Sequence, residues 1–422
     1  MTMANITLTS AKRDAILRGL EAKRRPIHWT AGKILLAAVL AAVLTVSAFA
    51  AVSPMIREAL ANALGSFLAQ SQPITGVAVE QDGIEIRVVS ALSDSSMTRI
   101  FCEVQDKTGD RLGSEMRISG WIDGLPWAED SSSGGTQLIA YDAETRTALV
   151  ELLQSGAVLE GDTPATIHFQ KFQAEESIKD GAVSVPTDIL TTATLETMQT
   201  EKGETVLVPE QTPSALDGAA YIRLSSFGFG SDGRLHIQYA YLGCANRENN
   251  RVLTTARSRS GKDDIIYNQN LTGATFQQNG IWYADASYSV TPDDLEDLAF
   301  DDLYGRMYVK PPVEGDWSLD ITIEPAPSIT LQANTQVGGA RVKQVKVSAI
   351  SVLVISDSKR TRLGYRPTYA TLRDGTKLIL TNNCVQSMGT GAVSYDQWTF
   401  DQPIDPADIV SMNFDGVTVP LQ

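Results

Sequence analysis

Residues Ile34 to Val52 read ILLAAVLAAVLTVSAFAAV, nineteen residues without a charge. A helix needs about 20 apolar residues to cross the hydrocarbon of a bilayer, so this stretch splits the chain into parts with different surroundings. Thr45 and Ser47 can return their hydroxyls to the helix backbone and are tolerated there. Lys23, Arg24, Arg25 and Lys33 flank its start, while only Arg57, next to Glu58, follows closely. That asymmetry predicts a single-pass protein of the cell membrane, N-terminus in the cytoplasm and C-terminal bulk outside. Trp29 sits where an interfacial aromatic belongs. A cleaved signal peptide is the rival reading, since Ala48-Phe49-Ala50 fits an A-x-A site and Ile34–Ser47 has the length of a signal core. The 33 residues before the core are long for a leader and favour an anchor. Either way the bulk leaves the cytoplasm.

Charge divides at the same place. The formal net charge is −15, yet residues 1–33 hold seven basic and two acidic residues, leaving 28 basic against 48 acidic in the rest. A bulk this acidic repels nucleic acid, and no basic stripe appears past the tail, so no nucleic-acid partner is expected. Apolar residues make up 43% and charged residues 20%, which permits buried cores rather than disorder. Cys102, Cys244 and Cys384 lie more than a hundred residues apart, the wrong spacing for a zinc ribbon or redox dithiol. They read as partly buried thiols in an exported chain that does not depend on disulfides.

In the tail, Ser10 can cap a helix from Ala11 to about Arg25. Ile16 and Leu20 share one face, with Ala15 or Leu17 beside them, in a frame of Lys12, Arg13, Arg18 and Lys23. Such a helix lies on anionic lipid or docks a cytoplasmic partner through Ile16, Leu17 and Leu20. Gly19 weakens it.

Beyond the apolar stretch, Ser53 as cap and Pro54 at the first position start a helix. Ile56, Leu60, Leu64 and Leu68 recur on one side of it, a stripe for the first β domain or for self-association. From Ile74 the apolar period becomes two, and turn signals follow at Asp94-Ser95-Ser96, Asp106–Asp110, Ser231-Asp232-Gly233, Asn279-Gly280, Asp374-Gly375 and Asp415-Gly416. The fold class expected is mainly β: one N-terminal transmembrane helix, then two or three immunoglobulin-like β-sandwich modules. The divisions are a cytoplasmic tail (1–32), a transmembrane helix (33–53), a juxtamembrane helix (54–73) and a first sandwich (74–173). A Pro- and Thr-rich linker (174–216), a second sandwich (217–326) closed by the alternating strand Trp317–Ile323, and a third (327–422) complete it. The third either stands alone or packs with the second. The openings IEIRVVSAL, YIRLSSFGF and VKVSAISVL look alike and suggest a weak threefold repeat.

Chemistry-bearing patterns are sparse. His236 lies between Leu235 and Ile237, in phase with Gln238, and His168 is in phase with Gln170. Both are expected on strand faces toward solvent, with no metal-ligand partner at a suitable spacing. No G-x-S-x-G occurs, and Ser356-Asp357-Ser358-Lys359 matches S-x-x-K only in a polar turn without companion motifs. Thr291-Pro292-Asp293-Asp294 reads as a capped helix start rather than a calcium loop. Gly228-Phe229-Gly230 lacks the context of a phosphate loop. No catalytic, cofactor-binding or metal residue is assigned, and an enzyme is not expected.

Lys23-Arg24-Arg25, Ala48-Phe49-Ala50-Ala51, the block from Gly83 to Asp94, Asp106–Arg111 and the closing segment Trp398–Pro406 together resemble a family of single-pass Gram-positive membrane proteins. Its members carry an extracytoplasmic domain of unknown function, and some are described as negative effectors, anti-sigma-like, of extracytoplasmic-function sigma factors. The likeness spans residues 20–173 and, more loosely, 340–422. It implies a membrane-anchored regulator with an outer sensing or binding region and a cytoplasmic sigma factor as partner of residues 1–32. This tail departs from the zinc-type anti-sigma motif H-x-x-x-C-x-x-C, having His28 but no Cys, so its grip would rest on one helix. The alternative is an envelope structural or ligand-binding protein, its outer ligand unidentified, with no cytoplasmic signalling role.

Overall fold

The structure is a computed structural model describing residues 53–126, 133–155, 159–185, 187–242, 251–253, 256–259, 272–300, 303–337, 339–357, 368–386, 394–414 and 416–421. The tail face Ile16, Leu17 and Leu20, and the apolar stretch 34–52, lie outside these residues. Among the described residues no helix is long and apolar enough to cross a membrane.

The chain from Pro54 begins with helix α1 (Pro54–Leu64) and a 3₁₀ continuation Gly65–Gln70. Ser53 caps it by accepting the Ile56 N–H at 3.2 Å. Everything after it is mainly β, arranged in packed sheets.

Three sheets share one strand order. The first runs Gln72–Pro73, Ile84–Ser93, Met97–Asp106, Thr147–Ser155, Ser133–Asp142. The second runs Ser214–Ala215, Ile222–Gly230, Leu235–Tyr241, Ile281–Tyr288, Thr272–Gln278. The third runs Ser328–Val337, Ala340–Ser348, Ser351–Ser356, Ser394–Thr399, Thr381–Gln386. IEIRVVSAL and YIRLSSFGF each fall in the strand second from the edge, whereas VKVSAISVL spans the end of that strand, its turn and the start of the next, so the repeat lies in the topology rather than in these segments. Turns supply the register. At Asn279 and Gly280 the backbone φ values are +52° and +79°, the left-handed pair that a two-residue hairpin requires, and Gln278 pairs with Ile281 across it.

Each repeat adds a second sheet and its own core. In the first, Ile84, Ile86, Val88, Ile100 and Val150 meet Ile167, Phe169, Phe172, Trp317 and Ile321. Phe172 packs edge-on to Trp317 with centroids 5.5 Å apart. This corrects the domain boundaries read from the sequence. The strand Val313–Ile323, assigned to the end of the second sandwich, pairs with Thr163–Phe172 and closes the first. The long strand Thr163–Val183 serves both: its first half joins the first sandwich, while its second half pairs with Leu303–Tyr308 in the second. The second sandwich is thus inserted into the first. Two sandwiches tied by crossing strands cannot be separated by one cut, which a reading along the chain assumes.

The linker assignment for 174–216 is corrected for the same reason. Ile178, Val183, Val185 and Leu216 enter the core of the second sandwich. Thr197–Gln199 and Thr205–Leu207 form a hairpin whose Val206 packs with Ala240, Ala274, Phe276 and Tyr283 on the outer face of the second sheet. Pro and Thr content resembles a linker, but the apolar side chains between them are buried.

The third sandwich has a separate core built on Val345, Val347, Val352, Val354, Trp398, Met412 and Phe414. It meets the first sandwich at hairpin tips. Asp94, fully buried, accepts the Ser96 and Met97 N–H groups on one oxygen and the Ser348 and Ser351 hydroxyls on the other. Helix α1 covers the outer face of the first sheet, where Ile56, Leu60 and Leu64 bury Val89, Leu92, Phe101 and Leu149 together with Ile350 from the third sandwich. This explains why Ile84–Ser93 is buried on alternate residues at its start and on both faces at its end.

Candidate functional site

In the second sheet, strand Leu235–Tyr241 sends Leu235, Ile237 and Tyr239 into the core and His236 and Gln238 to the opposite face. On sequence alternation that face is solvent. In the structure the hairpin Thr197–Leu207 covers it, and both His236 and Gln238 are buried. The expectation of an exposed His236 is therefore corrected, and the cause is the hairpin mistaken for linker.

A polar network fills the covered space. His236 Nδ1 lies 2.7 Å from Asp285 Oδ1, and Nε2 lies 3.2 Å from both oxygens of Asp232. The second oxygen of Asp285 accepts the Leu207 N–H at 3.0 Å and a Gln238 Nε2 hydrogen at 3.1 Å. Gln238 also donates to the Leu207 carbonyl and accepts from Ser225. Register places Asp285 directly opposite Gln238, two residue pairs along from His236 and on the same face, so neighbouring strands deliver the cluster.

Ionised carboxylates have no hydrogen to give, so two facing one imidazole require both ring nitrogens to donate. Burial alone would lower the His236 pKa, but the hydrogen bond and charge of Asp285, joined by Asp232, outweigh it and raise it. The protonated ring is the form that serves both carboxylates, and through Asp285 it holds the hairpin.

Beside this cluster lies a cavity of about 430 Å³, lined by Glu204 and Thr205 of the hairpin and by Asp232, Arg234, Asp285 and Ser287. Arg234 reaches Ser287 through Nε and Nη2. A smaller recess of about 260 Å³ shares Glu204 and is lined by Gln199, Phe276 and Trp282. The larger cavity thus gathers Asp232, Arg234 and Asp285, two of which are held by His236. His236 itself is buried behind the cavity with both ring nitrogens on carboxylates, so its part is to hold Asp232 and Asp285, which line it. Among the described residues no group of three or more His, Cys, Asp or Glu is arranged to hold a metal ion.

His168 is also better partnered than the sequence suggests. It stacks on Trp121 and lies within hydrogen-bond reach of Ser318 Oγ and Asp123. Ser318 is 150 residues away in sequence, so local spacing carries no signal of it. Thr291 and Asp294 do form the expected cap, on a single 3₁₀ turn Pro292–Asp294. Gly228-Phe229-Gly230 is strand, and Cys102 is a buried thiol whose pKa burial pushes up, the environment of an inert cysteine. Cys244 and the pair Ser358-Lys359 lie outside the described residues.

No family model matches the chain, and no curated protein matches it. Among solved structures it is similar to the crystal structure of a conserved domain protein from Bacillus anthracis, at 8% identity and a TM-score of 0.37. That match covers 81% of this chain and 75% of the other.

Proposed function

We propose that the chain is a membrane-anchored regulator: an extracytoplasmic body of immunoglobulin-like sandwiches senses a ligand, and residues 1–32 restrain a cytoplasmic sigma factor. The observation that carries this reading is the seat of α1. The helix starts at Pro54, directly after the apolar stretch in sequence, and it is built into the body. Ile56, Leu60 and Leu64 are buried against the first sheet and Ile350 of the third sandwich, and Phe67 packs against that cluster and the third core alike. A passive anchor needs only a tether. A helix gripped by two sandwiches moves when their junction moves, which is what a signalling connection requires. The cleft beside His236 is the site proposed for the sensed ligand.

The tail carries the output in this reading. Ile16, Leu17 and Leu20 bury about 1.5–3 kcal/mol each when fully covered, before the cost of ordering a short helix. Residues 1–32, immobilised and exposed to lysate of the native host, should retain a sigma factor, and the double change Ile16→Asp, Leu20→Asp should abolish retention. Failure of the unchanged tail to hold any sigma factor would leave the chain as an envelope ligand-binding protein.

A further inference from the structure

On the outward face of the first sandwich, three strands bring a serine, a histidine and an aspartate into line. Register pairs His168 with Trp121 on one side and with Ser318 on the other. His168 Nδ1 lies 3.0 Å from Ser318 Oγ, and Nε2 lies 3.2 Å from Asp123 Oδ2. An ionised carboxylate accepts, so Nε2 carries the hydrogen toward Asp123 and Nδ1 is left to accept from the Ser318 hydroxyl. Trp121 fixes the ring: it stacks on the imidazole with centroids 5.0 Å apart and planes 18° apart, and its Nε1–H donates to the same Asp123 oxygen at 3.1 Å. A base held in one tautomer by a carboxylate and touching a hydroxyl is the arrangement that activates a serine, whatever the order of the residues in the chain.

The backbone supplies a second component. Gln72 donates to the Thr322 carbonyl at 2.9 Å and accepts the Glu324 N–H at 3.0 Å, both on the side of the strand away from Thr163–Val183. Backbone groups alternate sides along a strand, and the register shift in Val313–Ile323 precedes Trp317, so Ser318 has the same parity. Its N–H is directed to that edge, next to its own Oγ, where a nucleophile's amide can stabilise the oxyanion of a carbonyl under attack. Ser318 is exposed, so a small reagent reaches it.

We propose that Ser318 is a nucleophilic serine that takes a small acyl group from an activated ester or thioester, with His168 as its base and Asp123 and Trp121 as positioning residues. Oγ forms a bond to the acyl carbon, and its proton passes to His168 Nδ1. The bond from the acyl carbon to the leaving oxygen or sulfur breaks, and that group departs with the proton. Nothing is oxidised or reduced.

The test uses the full-length chain and p-nitrophenyl acetate. Peptide mapping should place an acetyl group on Ser318, with an initial burst of p-nitrophenol of about one equivalent per chain. Ser318→Ala should abolish that burst. His168→Gln should slow Ser318 acetylation about 100-fold, the size of a lost general base, with the circular dichroism spectrum unchanged. Should His168→Gln fail to fold, Asp123→Asn on the exposed rim provides the same comparison and should slow acetylation about 10-fold. Absence of acetyl on Ser318 in the unaltered chain, or acetylation at an undiminished rate in a folded His168 or Asp123 variant, would overturn the proposal.

Discussion

His236 ties the second sandwich together at the scale of single residues. Its pKa is raised in the folded chain, because two carboxylates face it and only the charged ring satisfies both. The stability it contributes is therefore complete below the ordinary imidazole value of about 6.5 and is lost as pH rises through the raised folded value. Above that, one carboxylate faces a bare nitrogen, and the Asp285 grip on Leu207 weakens with it. Thermal unfolding of the full chain across this range should show the melting temperature falling with rising pH. His236→Gln should remove that part of the dependence while lowering stability at acid pH. A variant that keeps the same pH slope would mean another group is responsible. Asp285→Asn is expected to be as damaging, since Asp285 joins the histidine to the hairpin.

Among elements, α1 is the one whose sequence and structure agree most closely. Ser53 and Pro54 announce its start, and Ile56, Leu60 and Leu64 of the expected stripe are buried, while Leu68 falls in the 3₁₀ continuation and is half-buried. Leu60→Ala should cost about 3 kcal/mol, the usual penalty for deleting a fully buried leucine side chain. Denaturant titration measures this, and a cost under about 1 kcal/mol would show that the helix is loosely seated. Hairpins with left-handed turns were equally legible, as at Asn279-Gly280, because the turn chemistry is local. The hairpin Thr197–Leu207 was not. Its composition is polar, and its few apolar residues matter only because Ala240, Phe276 and Tyr283, far away in sequence, receive them. The candidate site was missed with it. His236 and Gln238 follow the alternation of an exposed face, and nothing near them in sequence shows that Leu207 and Asp285 will cover them. Ser318 and His168 were hidden in the same way, by pairing between strands of distant segments.

At the scale of the molecule, the insertion of the second sandwich between Thr163–Val183 and Val313–Ile323 makes the first two sandwiches one interlocked body. The third joins through the Asp94 junction and α1. Asp94→Ala would strand the Ser348 and Ser351 hydroxyls and two backbone amides, a loss of roughly 3 kcal/mol or more. It should loosen the third sandwich first, so hydrogen exchange should rise at 340–356 before it rises in the core of the second sheet. Uniform loss of protection would contradict a junction with this local role. In the proposed function this body governs a partner of the tail across the membrane. The most direct test is transcription from sigma-dependent promoters in the native host carrying Ile16→Asp and Leu20→Asp, with the altered chain still present at its usual level. The account predicts transcription released from restraint; unchanged transcription would contradict it.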